Sequence, residues 1–300
     1  MEKSKVSVIL PAYNEEAILG NVLTELLESF KTWDIERPQL IVVNDGSKDA
    51  TGQIASGFKE VHVINHRKNK GYGASIRSGM REAKGDILVW YDSDGQHRPE
   101  DLYKVIQKMQ DEKSDYCIGI RDKNSYQDKT RLVGKKVLKW ILTLITKERL
   151  RDYNSGLRAF RREVIMPYIS LLPDTFGAST VTTLLMMEQE YVGSEVSITV
   201  RKRKGKSSVR QIRDGFRTIG LILQVIILFK PMRIFGKGGF LMLLIGALYG
   251  IIRAIQWANG IPILASILVI FGLQLICFGV LADQLSKMRM QDFENRYRRQ

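Results

Sequence analysis

Asp92-Ser93-Asp94 sets two carboxylates one residue apart, and Gln96 adds an amide oxygen two residues later. Carboxylates at that spacing can face a single cation where a chain turns out of a strand. Mg2+ and Mn2+ take such hard oxygens and keep positions open for phosphate oxygens. The reading is therefore a divalent cation held by Asp92, Asp94 and Gln96. Asp45 lies in Asn44-Asp45-Gly46-Ser47. A carboxylate there can accept hydrogen bonds from a ribose or a base edge, though Asp also favours turns for purely local reasons. Pro11-Ala12-Tyr13-Asn14-Glu15 offers residues that can wall a nucleobase. A cation site, a ribose acceptor and a base wall together point to a nucleotide diphosphate.

Each cluster closes an apolar run. Val6–Leu10 is apolar up to Pro11, Leu40–Val43 precedes Asn44, and Ile87–Tyr91 precedes Asp92. Short runs of this kind read as buried strands. Between them Ile18, Val22, Leu23, Leu26, Leu27 and Phe30 recur at helical spacing, which predicts a helix over Glu15–Phe30. Helices are also expected at Asp49–Phe58, Gly73–Ala83 and Pro99–Met109, with a third strand at Val61–Ile64. Alternating strands and helices predict a mostly parallel sheet covered on both faces. Ligands of such sheets sit at the carboxyl ends of the strands, where the three polar clusters fall.

The chain has 300 residues, 44% of them apolar and 26% charged, so global disorder is excluded. Cys117 and Cys277 cannot build a disulfide framework, and no CxxC exists for a cysteine-rich zinc site. GxxxxGK[ST] is absent, which disfavours a P-loop nucleotidase. Gly71-Tyr72-Gly73 followed by Gly79 does not fit the dinucleotide fingerprint.

The net charge is +14, and its placement matters more than its size. Residues 201–213 hold seven Lys/Arg and no acid, beside apolar segments. This reads as charge for a membrane surface rather than for nucleic acid. Gly236–Trp257 and Ile261–Ala282 are 22 residues each, about 33 Å as helix and enough to cross a bilayer. Apart from Lys237 at the first span's outer edge, Arg253 is the one charge inside them, a turn from Trp257. The connection around Asn259 is short, so the spans form a hairpin. Lys230, Arg233, Lys237, Lys287 and Arg289 flank its outer ends, which puts both ends on the cytoplasmic side. Ile219–Phe229 is apolar but too short to span, and is expected to lie in the interface.

VSVILPAYNEE, IVVNDGSKDAT, NKGYGASIRSG, VWYDSDGQHRPEDL and DYNSGLRAFRREV, in this order, resemble the family 2 glycosyltransferases of GT-A fold. Within that family the chain is similar to the dolichol- or polyprenyl-phosphate hexose synthases. The resemblance covers residues 5–210. It implies an α/β, Rossmann-like catalytic domain over 1–210, interfacial helices over 211–235, a two-helix transmembrane hairpin over 236–283 and a basic cytoplasmic tail over 284–300.

The resemblance also assigns roles. Pro11, Ala12, Tyr13, Glu15, Asp45, Asp92 and Ser93 would hold the nucleotide-sugar. Asp92, Asp94 and Gln96 would hold Mg2+ or Mn2+. Asp94, Asp152, Arg121 and Arg131 would form the catalytic group, and Arg131, Arg201, Lys202 and Arg203 would meet an acceptor phosphate. Tyr153 stands where the family has Pro, and Lys202 sits three before Gly205 with Arg201 and Arg203 beside it, so the acting cation is open.

The implied activity is inverting transfer of a hexose from a UDP- or GDP-sugar to undecaprenyl or dolichyl phosphate at the cytoplasmic face. The partners are the donor, the lipid phosphate and the bilayer, with no nucleic acid and a homo-oligomer left open. Two rivals remain: an anchored transferase acting on a non-lipid glycan, and a non-catalytic GT-A-like scaffold.

Overall fold

The computed structural model describes residues 4–122, 125, 152, 155–174, 177–201, 227, 230–257, 260 and 262–298. The chain divides into two compact units, one of residues 1–140 with 148–218, the other of 141–147 with 219–300.

The first unit is built on seven strands: β1 Val6–Ala12, β2 Gln39–Asn44, β3 Val61–Asn65, β4 Ile87–Trp90, β5 Tyr116–Arg121, β6 Arg158–Arg161 and β7 Gly193–Ile198. Their order is β3-β2-β1-β4-β6-β5-β7. All pairings are parallel except those of β6, which runs antiparallel to both β4 and β5. The expected parallel sheet is thus present, with one reversed strand inserted.

Alternation along the strands sends side chains to two helical layers. Val6, Val8 and Leu10 of β1 share a buried cluster with Leu19, Leu23 and Leu26 of α1 (Leu19–Phe30) and with Leu102, Val105 and Ile106 of α4 (Pro99–Asp111). Ile9 points the other way, against α3 (Tyr72–Glu82), where a Cβ on Gly79 would lie 2.4 Å from Ile9 Cγ2. Each fully buried Leu or Ile here contributes about 1.5–3 kcal/mol. A short α2 (Thr51–Ser56), α5 (Arg162–Ile165), a 3-10 turn (Met166–Leu171) and α6 (Ala178–Glu188) complete the unit.

Helix α1 begins at Leu19, not Glu15. The amides of Ile18 and Leu19 both turn onto the Glu15 carbonyl, and the Glu16 side chain accepts from the Ala50 amide. The segment before Leu19 is therefore a turn that ties β1 to the start of α2.

The second unit contains two long helices, α7 (Pro231–Trp257) and α8 (Ile263–Arg298). Both are long and apolar enough to cross a membrane, and only 17% of each apolar window is buried. They pack through glycines. A Cβ on Gly239 would lie 2.5 Å from the Gly272 carbonyl, and one on Gly246 would lie 2.8 Å from Leu268 Cβ. Small residues let apolar helices approach closely where no hydrophobic force drives them together. The Arg253 guanidinium lies 5.7 Å from the Tyr249 ring centre.

Two boundaries differ from the sequence reading. Helix α7 starts at Pro231, so residues 231–235 are helical and continuous with the first apolar span, while 211–226 lie outside the described residues. Helix α8 runs on to Arg298, past the apolar span expected to end at Ala282. Nothing after Gly279 breaks a helix, and Lys287 pairs with Asp283 one turn earlier at 2.8 Å.

Candidate active site

The polar clusters at the ends of β1, β2 and β4 are joined by hydrogen bonds between strand ends. The Ser93 hydroxyl donates to the Pro11 carbonyl at 2.7 Å, and the Asp45 amide donates to the Ala12 carbonyl at 2.8 Å. Asn14, at φ 54°, donates its amide to Ser47 Oγ and accepts from the Lys48 amide. Tyr13 is exposed beside them, and Ala12 is buried in the wall. Glu15 donates its amide to Thr51 Oγ1. The Pro11–Glu15 segment, expected to wall a base, and the two carboxylate turns thus share one edge of the sheet.

Asp45 does work that its sequence position does not reveal. It is buried, and its Oδ1 accepts from the Lys70 amide at 2.9 Å while Oδ2 accepts from the Gly71 amide at 2.8 Å. His66 Nδ1 lies 2.7 Å from Oδ1, and His66 Nε2 lies 2.9 Å from Ser78 Oγ. The carboxylate therefore fixes the 66–71 loop in front of α3. Gly71, at φ +99°, is pressed against Asp174, whose carbonyl also accepts the Gly73 amide. That capping occupies the first turn of α3.

Asp92 stands at the centre of the edge. Its Oδ1 accepts from Tyr72 Oη at 3.1 Å, and His97 Nε2 lies 3.6 Å from its Oδ2. Burial raises its pKa, but the His97 and Tyr72 contacts and the Arg121 charge outweigh this and hold the carboxyl below the usual range. Burial, with the adjacent Asp92 charge, pushes the Tyr72 hydroxyl up, so it stays a proton donor. Gly156 abuts the same carboxylate: a Cβ there would lie 2.0 Å from Asp92 Oδ2.

Asp94 is half-buried, and its Oδ1 accepts from the Gln96 amide at 3.1 Å. Gly95, at φ +71°, makes the turn. Gln96 Nε2 donates to the Arg201 carbonyl at 3.1 Å, and the Arg201 amide returns a bond to the Gln96 carbonyl. With its nitrogen engaged, the Gln96 side chain has its oxygen to offer. Among the described residues no three His, Cys, Asp or Glu side chains cluster as a metal cage. Two carboxylates and an amide oxygen fit a hard cation that takes its other ligands from a diphosphate.

Arg121 and Asp152 are brought together as a pair, with the Arg121 amide 3.3 Å and Nε 3.4 Å from Asp152 Oδ2. The Arg201 guanidinium lies 3.3 Å from Glu25 on the surface, a solvent-screened contact that is easily exchanged. Arg131, Lys202 and Arg203 lie outside the described residues, as does Tyr153.

The sequence reading missed Tyr72, His66, His97 and Arg158. Two had a visible signal: Tyr72 opens a helix after Gly71, and His97 follows the Asp92–Gln96 turn; His66 and Arg158 had none.

Residues 7–168 match the family described as glycosyl transferase family 2. The chain belongs to that family. It is a glycosyltransferase, as the motifs implied, and the strand-end carboxylates lie within the matched segment. Residues 230–288 match the GtrB C-terminal hairpin, in agreement with α7 and α8, and mark a membrane protein. The chain is 28% identical to the undecaprenyl-phosphate 4-deoxy-4-formamido-L-arabinose transferase of Proteus mirabilis, covering 95% of this chain and 89% of the relative. It is 34% identical to the UDP-N-acetylglucosamine–dolichyl-phosphate N-acetylglucosaminyltransferase of Methanococcus voltae, over 55% and 72%. Among solved structures it resembles glucosyl-3-phosphoglycerate synthase from Mycobacterium tuberculosis in complex with Mn2+, UDP and glucosyl-3-phosphoglycerate. The TM-score is 0.59 and the identity 20%, covering 74% of this chain and 80% of that one. That likeness establishes the GT-A fold.

Proposed function

We propose that this family 2 enzyme transfers a hexose from a nucleotide-sugar to a polyprenyl phosphate, with inversion and with a divalent cation, at the cytoplasmic membrane face. The observation that carries the reading is a strand-end carboxylate site and an apolar two-helix hairpin in one chain, with relatives named for transfer to undecaprenyl and dolichyl phosphate.

The chemistry follows from charge. A lipid phosphate has a second pKa of about 6, so near neutral pH it is already a strong nucleophile and needs little help from a base. Two anions must nevertheless approach each other. A cation bound by Asp92, Asp94 and Gln96 would neutralise the departing diphosphate. Asp92 suits that role because its carboxyl is held ionised. Arg121, oriented by Asp152, offers a guanidinium fork to the incoming phosphate, and Arg131 with Arg201, Lys202 and Arg203 adds further cations. Asp152 is an orienting group in this account, not a base. Tyr13, Pro11, Ala12 and Glu15 wall the nucleotide, and Asp45 acts on it through the 66–71 loop. What remains is alignment for in-line attack at the anomeric carbon, which favours inversion.

The excess of Lys/Arg at the outer ends of the hairpin supports a cytoplasmic side for the catalytic domain and the tail. The test is a panel of UDP- and GDP-sugars against a short polyprenyl phosphate, with label partition into the lipid phase. Transfer to a soluble glycan instead would favour the non-lipid rival, and absence of transfer with every donor would favour the scaffold.

A further inference from the structure

We propose that Arg158 is a positioning residue for the transfer step: its buried guanidinium fixes the Ser155-Gly156 turn, and that turn fixes the Asp92 carboxylate. The inference rests on reading Asp92 as the donor-side carboxylate.

Arg158 has no exposed surface. Its Nε and Nη2 both donate to the Ser155 carbonyl, at 2.9 and 2.5 Å. Its Nη1 donates to the Ser179 carbonyl at 2.7 Å, to Thr182 Oγ1 at 2.8 Å and to Thr183 Oγ1 at 3.2 Å. The guanidinium carbon lies 5.6 Å from the centre of the Trp90 ring. One planar fork therefore clamps the Ser155-Gly156 turn to the first turns of α6.

The clamp reaches Asp92 from two sides. Gly156 follows Ser155, and its backbone is so close to Asp92 that an added Cβ would overlap Oδ2. Tyr72, which donates to Asp92 Oδ1, also interacts with the side chain of Ser179. Ser179 is the residue whose carbonyl Arg158 holds. The carboxylate is seated between two groups whose positions meet at one guanidinium.

Stability alone is a poor reason for this arrangement. Taking a guanidinium out of water is costly, and an apolar side chain of similar volume often serves a core as well. Burial pulls the Arg158 pKa down to about 10, a direct sign of that cost. What only Arg supplies is a rigid fork that bonds a carbonyl and a helix together; an ammonium is a point donor.

The test uses full-length protein in nanodiscs: wild type, Arg158→Lys and Arg158→Met. Thermal stability, Mn2+ affinity by electron paramagnetic resonance without donor or acceptor, and kcat with acceptor KM are measured. Arg158→Lys is expected to fold, to bind Mn2+ several-fold more weakly and to lose tenfold or more in kcat, with acceptor KM within twofold. Arg158→Met is expected to lose more of both. Should Arg158→Lys not fold, Thr183→Val, which strips one acceptor from the fork, takes its place with the same pattern at about threefold. Unchanged Mn2+ affinity overturns the inference, whatever kcat does, and so does a kcat within twofold of wild type. Because Mn2+ binding is read without sugar transfer, weaker binding in the variant of a chain that transfers nothing would sink the functional reading and leave standing only the seating of Asp92 by Arg158.

Discussion

Gly156→Ala isolates the contact between the Ser155-Gly156 turn and the Asp92 carboxylate. The added Cβ would stand 2.0 Å from Asp92 Oδ2, 2.6 Å from Cγ and 2.9 Å from Oδ1. Non-bonded heavy atoms rest at about 3.5–4.0 Å, so the carboxylate or the turn must move by ~1 Å or more. Gly156 does not appear among the glycines with positive φ, so the strain is steric rather than conformational. Overpacking of this kind costs about 1–3 kcal/mol of stability. The larger effect falls on the reaction. The Tyr72 bond at 3.1 Å and the His97 contact at 3.6 Å cannot both survive the shift. Misplacing a reacting group by about 1 Å costs on the order of 100-fold in rate. The assay is the initial rate of labelled sugar entering the lipid phase, beside a melting curve on the same preparation. A folded Gly156→Ala enzyme keeping more than half the wild-type kcat would show that Asp92 is not held by this contact.

Asp94→Ala removes a carboxylate that accepts the Gln96 amide at a turn, so stability should fall by no more than about 1.5–3 kcal/mol while transfer and its dependence on Mn2+ disappear; wild-type turnover would remove Asp94 from the metal site. Asp45→Asn turns an amide donor toward the Lys70 or Gly71 amide, so calorimetry should show nucleotide affinity about tenfold lower and stability about 1–3 kcal/mol lower. Unchanged affinity would separate the 66–71 loop from the nucleotide. The Asp92 carboxyl is held below its ordinary value of about 3.9, so its charge is complete above that pH and is lost only as pH falls through the depressed value. The acid limb of kcat/KM for the acceptor should therefore follow the lipid phosphate, near pH 6 by about one unit. A limb near 4 with no break at 6 would assign it to a carboxylate instead.

The parallel core was legible because each strand there is a short apolar run closed by turn-forming residues, as at Leu10-Pro11, Val43-Asn44 and Tyr91-Asp92. The same punctuation located the site, since ligands gather where such strands end. Strand β6 was not legible: its four residues, Arg158–Arg161, carry two arginines and no alternation of a recognisable kind. The charge that hid the strand is the one buried beneath the site. Asp45 was found, but its partners were not, because the Lys70 and Gly71 amides and His66 reach it only through the crossover from β3 to α3. The hairpin was read from apolar length, the short connection around Asn259 and the flanking Lys/Arg. The end of α8 was missed because a change from apolar to charged residues marks the edge of a membrane, not the end of a helix.

The most direct test of the central claim is incorporation of label from nucleotide-sugars into the lipid phase, with polyprenyl phosphate or unphosphorylated polyprenol as acceptor, with and without Mn2+. Label should enter the lipid phase with one donor, only when the acceptor carries phosphate and only when the cation is present. Equal labelling of the unphosphorylated alcohol, or full labelling in excess chelator, would contradict the account.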